Sequence, residues 1–302
     1  TIYREENTMR KQLLSFALLL CIIFGAFLQA GFAEEAESPE LLYTGNFGYY
    51  LADGKAYIFS GQSEDGTTLT IPQSIDGYEV AGIGTEGAFY SGSLDAPNVI
   101  ILEGVRRISD GGFNNSTMGS INLPESLESI GKDAFSGCEA LKTIRIPAAT
   151  KEIAPGAFLD CPALISIEVD EKNPEYFSVK GVLFSREGGS VSLHSYPLGK
   201  KDKSYQVPKD VTAVLPYAFY YNGTLTGVKL PDTLTSIGDE AFNRCSSLSK
   251  LTLPKNLVHI GREAFAYSSK IKQLTLPGTL KTIGDGAFAT LPLAKYELAK
   301  GN

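Results

Sequence analysis

The sequence predicts a repeat solenoid, mostly β with short helical turns, in which about eight repeats of about 23 residues stack into a right-handed array. Three observations predict it. First, Leu234 to Cys245 reads LTSIGDEAFNRC, and near-copies follow as LVHIGREAFAYS from Leu257 and LKTIGDGAFATL from Leu280. Second, the Phe of the small-residue–Phe pair recurs at Phe89, Phe113, Phe135, Phe158, Phe219, Phe242, Phe265 and Phe288. The steps between these numbers are 24, 22, 23, 61, 23, 23 and 23, so the single long step is one period plus 38 inserted residues. Third, the run before each repeat's proline alternates, as in Leu251-Thr252-Leu253-Pro254 and Leu274-Thr275-Leu276-Pro277. Alternation sets apolar residues on one face of a short strand.

Each repeated position has a physical reason. Proline ends the first strand because it has no N–H to give the next rung. A second short strand follows, Leu234 to Ile237. Gly238 is expected to turn a tight corner at positive φ. Asp239-Glu240 is expected to open a single helical turn, acidic side chains lying near free N–H groups. Ala241 is small where backbone crowds, and Phe242 fills the space between the strands. One repeat cannot bury this face, whereas stacked neighbours bury a continuous core.

The pattern L-x-x-I-x-L-P-x-x-L-x-x-I-G-x-x-A-F-x-x-C is matched almost fully by Leu225 to Cys245. In this the chain resembles the BspA-like, or Treponema-type, leucine-rich repeats, over roughly residues 45 to 290. The resemblance implies a right-handed leucine-rich-repeat array. It also implies a secreted or cell-surface protein that works in adhesion and protein binding.

Taken in order, residues 1–33 read as an upstream extension followed by a secretory signal peptide. TIYREENT precedes the first methionine, Met9-Arg10-Lys11 is basic, Leu13 to Leu28 is apolar, and Gly31-Phe32-Ala33 predicts cleavage after Ala33. Residues 34–67 form an acidic linker and an N-terminal β cap, its hairpin marked by Asp53-Gly54 among aromatics. Residues 68–169 are a first repeat block, with a degenerate rung where Leu102 replaces proline and Gly112 replaces alanine. Residues 170–204 are a β-hairpin insertion around Gly188-Gly189, and residues 205–302 a second block and C-terminal end. The insertion is open to two readings, a protruding functional loop or a spacer that covers one surface of the core.

Composition narrows the function. The formal charge is −7, with 27 basic and 34 acidic residues. Without residues 1–33 the counts are 24 and 32, or −8. An acidic chain argues against nucleic acid as partner, and the leader, once cleaved, leaves no membrane insertion. Cys138, Cys161 and Cys245 each follow a Phe by three residues. They read as a buried ladder of free thiols, a Cys138–Cys161 disulfide being the alternative. The two histidines, His194 in the insertion and His259 on a second strand, come with no nucleophile or metal partner. No catalytic motif, cofactor or metal site is expected.

A binding surface is expected instead. The outward positions of the proline-ended strands are Ile100, Asn122, Arg145, Glu168, Lys229, Thr252 and Thr275. At about 4.8 Å per rung they would make a face about 40 Å long, suited to a macromolecule. The sequence therefore predicts an exported, non-enzymatic protein that binds an extracellular protein or glycan. A passive spacer within a larger surface protein is the alternative, and an enzyme scaffolded on the repeats a more distant one.

Overall fold

The structure, a computed structural model, describes residues 39–84, 96–292 and 295–298. Phe89, Cys21 and the leader expected over residues 1–33 lie outside the described residues. What is described is a solenoid of three walls, and no helix occurs among the described residues.

The first wall holds the first strand of each repeat, ended by proline in most, from Thr68–Ile71 to Lys295–Leu298. After each proline the chain turns back at once. The amides of Leu127, Leu234 and Leu257 donate to the carbonyls of Pro124, Pro231 and Pro254 at 3.1 Å. The second wall holds two-residue strands such as Ser129–Ile130, Ser236–Ile237 and His259–Ile260, paired in parallel. Gly238 and Gly261 close these strands, and neither has positive φ. A Cβ on Gly261 would lie 2.5 Å from the Asp239 amide nitrogen of the rung before, so close backbone approach requires glycine here. This corrects the expected corner at Gly238.

The third wall corrects the expected helical turns. Every described rung places the residue two before its Phe and the residue two after it in the left-handed region. In one rung these are Glu240 (φ 54°) and Arg244 (φ 58°). Left-handed residues reverse the peptide direction and break any helix. Their amides point along the solenoid axis instead. The amides of Glu240, Phe242 and Arg244 donate to Arg262, Ala264 and Ala266 of the next rung at 2.8, 2.7 and 2.8 Å. The turns thus form a hydrogen-bonded ladder of their own, which satisfies backbone groups that a strand would otherwise have to pair.

Inside the walls the Phe rings stack. Phe113, Phe135 and Phe158 lie 5.6 Å apart in turn, and Phe219, Phe242, Phe265 and Phe288 follow at 4.8, 5.3 and 5.8 Å. Three residues on from each Phe, the thiols of Cys138, Cys161 and Cys245 donate to the carbonyls of Phe113, Phe135 and Phe219 at 3.2, 3.0 and 3.2 Å. Ser268 does the same to Phe242 at 2.7 Å. All three cysteines are free and buried. Burial pushes the Cys245 thiol up to about 12, and the neighbouring Cys161 thiol, with burial, holds Cys138 above its ordinary range.

Each block starts from a three-stranded antiparallel meander. In the first, Leu41–Thr44, Phe47–Ala52 and Lys55–Gly61 pair in turn, and the third strand then pairs in parallel with Tyr78–Ile83. In the second, Tyr176–Val179 precedes the hairpin Val182–Glu187 and Ser190–Ser195, whose last strand pairs in parallel with Val211–Val214. Both hairpins turn on two positive-φ residues, Asp53-Gly54 and Gly188-Gly189, as two-residue hairpins require.

The buried side chains fall into two cores that meet within the second meander. Leu183 belongs to the first core, while its neighbours Val182 and Phe184 belong to the second. One strand thus covers the end of the first block with one face and begins the second with the other.

Candidate binding groove

Six of the seven expected ladder residues are exposed, Asn122, Arg145, Glu168, Lys229, Thr252 and Thr275, while Ile100 is half-buried. Strand pairing along their wall is interrupted. Asn122 pairs with Ile100, Arg145 with Glu168, and Lys229 with Thr252, each pair in a separate short sheet. Thr275 belongs to a fourth sheet, with Lys295–Leu298. The second meander stands between Glu168 and Lys229, since the strand that follows Ser166–Val169 is Tyr176–Val179 and not a proline-wall strand. The wall is therefore divided, and its two halves differ in chemistry.

In the first half the one basic ladder residue is already paired. Arg145 is held by Glu125 at 2.8 Å and Asp170 at 2.5 Å. The second half is an open groove of about 1350 Å³ across the strands Ser204–Gln206, Gly227–Lys229 and Lys250–Thr252. Its lining mixes small and polar residues, Ser204, Gly227, Ser249 and Thr252, with apolar ones, Val228, Leu230, Leu251 and Leu253. Lys229, Lys250, Lys255, Lys270 and Lys272 line it. Among the described residues only Lys255 of these has an ion pair, with Asp232 at 3.9 Å, and both side chains are more than 70 % exposed. Lysines at this density keep their charge directed at solvent, where an anion could meet it.

The net charge had hidden this. Residues 34–169 hold 7 Lys and Arg against 20 Asp and Glu, a balance of −13. Residues 205–302 hold 11 against 7, a balance of +4. A count by block exposes a polarity that the average over the chain conceals.

The two histidines are placed by packing. His194 is buried, and its Nε2 lies 2.8 Å from the Ile153 carbonyl. A carbonyl only accepts, so Nε2 carries a proton. Tyr176 accepts the Ile153 amide through its hydroxyl at 2.8 Å. Together they take both backbone groups of Ile153, at the edge of the first block's second wall, an edge that would otherwise stay unpaired. Burial lowers the His194 pKa from its ordinary value. His259 is half-buried on the second wall, its Nδ1 2.6 Å from the Thr282 hydroxyl. No sequence signal marked His194 and Tyr176 as an edge cap, because the edge itself arises only once the blocks are assembled.

Among the described residues no three His, Cys, Asp or Glu side chains cluster as a metal site. No helix of these residues is long and apolar enough to cross a membrane.

The fold has solved counterparts. The pneumococcal vaccine antigen PcpA is 23% identical, with a TM-score of 0.59 over 86% of this chain and 82% of its own. A leucine-rich cell surface protein from Faecalibacterium prausnitzii A2-165 is 22% identical, with a TM-score of 0.52 over 86% and 89%. A leucine-rich repeat protein from Eubacterium ventriosum ATCC 27560 is 22% identical, with a TM-score of 0.59 over 84% and 77%. At these identities the likeness is one of fold. Among curated proteins none matches the chain. The pattern of the BspA type leucine-rich repeat region matches in six copies, over residues 83–180 and 199–302. With more than half of its length matched, the chain belongs to the BspA-type leucine-rich repeat family.

Proposed function

We propose that this chain is an exported, non-enzymatic binding protein of the cell surface that recognises an acidic extracellular ligand, glycan or protein, through the second-block groove. The observation that carries the reading is the groove itself: about 1350 Å³ of open surface on a rigid wall, lined by five lysines in an otherwise acidic chain. Lysines suit a ligand that is charged all along its length, since an ammonium is a point charge that fixes no planar geometry. Opposite charge also speeds encounter and weakens with salt. A surface location draws support from the leader expected at residues 1–33 and from the family.

A binding screen against immobilised extracellular-matrix proteins and acidic and neutral glycans tests this. Saturable binding to acidic members, reduced in a Lys229→Glu/Lys250→Glu variant, is expected. Binding by neither protein, or equal binding by both, would contradict the assignment.

A further inference from the structure

The turn wall carries a second surface that the groove does not use. At the left-handed positions of the third wall, Gly111, Gly137, Gly156, Gly286 and Asn115 adopt their backbone at little cost. Three others are tyrosines: Tyr217 at φ 63°, Tyr221 at 60° and Tyr267 at 60°. A bulky aromatic in this region is an outlier, and three of them, two in the Phe219 rung and one in the Phe265 rung, call for a reason. Core packing does not supply it, because Tyr221 and Tyr267 are 50% and 46% exposed.

Two of these rings, Tyr221 and Tyr267, flank one cation. Tyr221, Arg244 and Tyr267 hold the same repeat position in successive rungs. The Arg244 guanidinium carbon stands 5.8 Å from the Tyr221 centroid and 4.7 Å from that of Tyr267. Tyr220 packs at 6.0 Å against Tyr217 and at 5.9 Å against Tyr221, the ring planes inclined by 77° and 44°. Arg244 is exposed and makes no ion pair within 4.0 Å among the described residues. At the last turn of the first block, burial raises the Asp160 carboxyl above its ordinary range, and the Arg244 charge offsets part of that.

We propose that Tyr217, Tyr220, Tyr221, Arg244 and Tyr267 form a docking site for a protein segment that presents a carboxylate flanked by apolar side chains. Aromatic rings flanking the guanidinium restrict its rotation, which prepares its N–H edge for a two-point bond to a carboxylate. Exposed tyrosine beside arginine is the composition that anchors protein interfaces. The rings are inclined to one another, where a sugar would need a flat platform. The site lies on a different wall from the groove, so it stands or falls separately from the proposed function.

The probe is a phage-displayed library of random dodecapeptides, selected on the full chain and on two variants, Tyr221→Asn/Tyr267→Asn and Arg244→Gln. Thermal unfolding runs beside it. Enriched peptides should carry Asp or Glu next to Leu, Phe, Tyr or Trp. As synthetic peptides they should bind each variant about tenfold or more weakly, and the Lys229→Glu/Lys250→Glu variant as well as wild type. The Asn variant should melt no lower than wild type, because asparagine accepts left-handed backbone. A lower melting temperature would make the rings structural cement and overturn the proposal. Equal enrichment on the variants would overturn it too, as would binding of neutral glycans in place of peptides that disappears with the tyrosines.

Discussion

The side chains that define each rung contribute unequally, and their position along the stack decides by how much. Phe242 has a ring above it and a ring below, and is fully buried. Phe288 has one such neighbour, Phe265, and is half-buried. Phe242→Ala should cost about 3–5 kcal/mol in chemical denaturation, as truncations of a buried Phe do, and Phe288→Ala clearly less. His194 responds to pH. Its folded pKa lies below the ordinary value of 6.5, so the unfolded chain takes up the proton first as pH falls. The stability that this neutral ring contributes is present above pH 6.5 and is lost progressively below it. Urea denaturation at about pH 7.5 and about pH 5.5 should show a larger loss for wild type than for His194→Gln, and equal losses would exclude the role. The Phe and Cys ladders were legible in the sequence because they follow the period. The reason for Gly238 was not, since crowding against the preceding rung and a demand for positive φ look alike in one letter of sequence.

At the scale of elements, the second meander is the part with the most consequence. Its strand Ser190–Ser195 is the first parallel partner of the second wall in the second block. Tyr196 extends the Phe stack, 5.2 Å from Phe219. His194 and Tyr176 close the edge at Ile153. Replacing residues 171–204 by a short loop should therefore lower the melting temperature sharply and expose apolar surface to a dye, rather than yield a folded chain lacking one loop. An unchanged melting temperature would return the insertion to the role of a protruding appendage. The hairpin at Gly188-Gly189 was readable from its turn residues. The strand Tyr176–Val179 and the docking on both blocks were not, because both depend on contacts between residues distant in sequence. The turn wall was misread as helical for a related reason: acidic residues before an apolar pair suit a helix start, yet here the backbone serves the neighbouring rung.

At the scale of the whole molecule, the chain joins two cores of opposite charge balance, −13 over residues 34–169 and +4 over residues 205–302. The solenoid could be read from the period, and the family from the resemblance of Leu225 to Cys245 to its repeat pattern. The groove could not, because the six exposed ladder residues look equivalent until the second meander separates them and Arg145 is found already paired. Net charge pointed away from a basic site, whereas charge counted by block points to one. The most direct test of the account is a titration of the chain with heparin, as a defined polyanion, at rising salt. Affinity should fall steadily as salt screens the lysines, and Lys229→Glu/Lys250→Glu should weaken binding about tenfold or more at low salt. Binding that is indifferent to salt, or unchanged in the variant, would contradict a groove built for an acidic ligand.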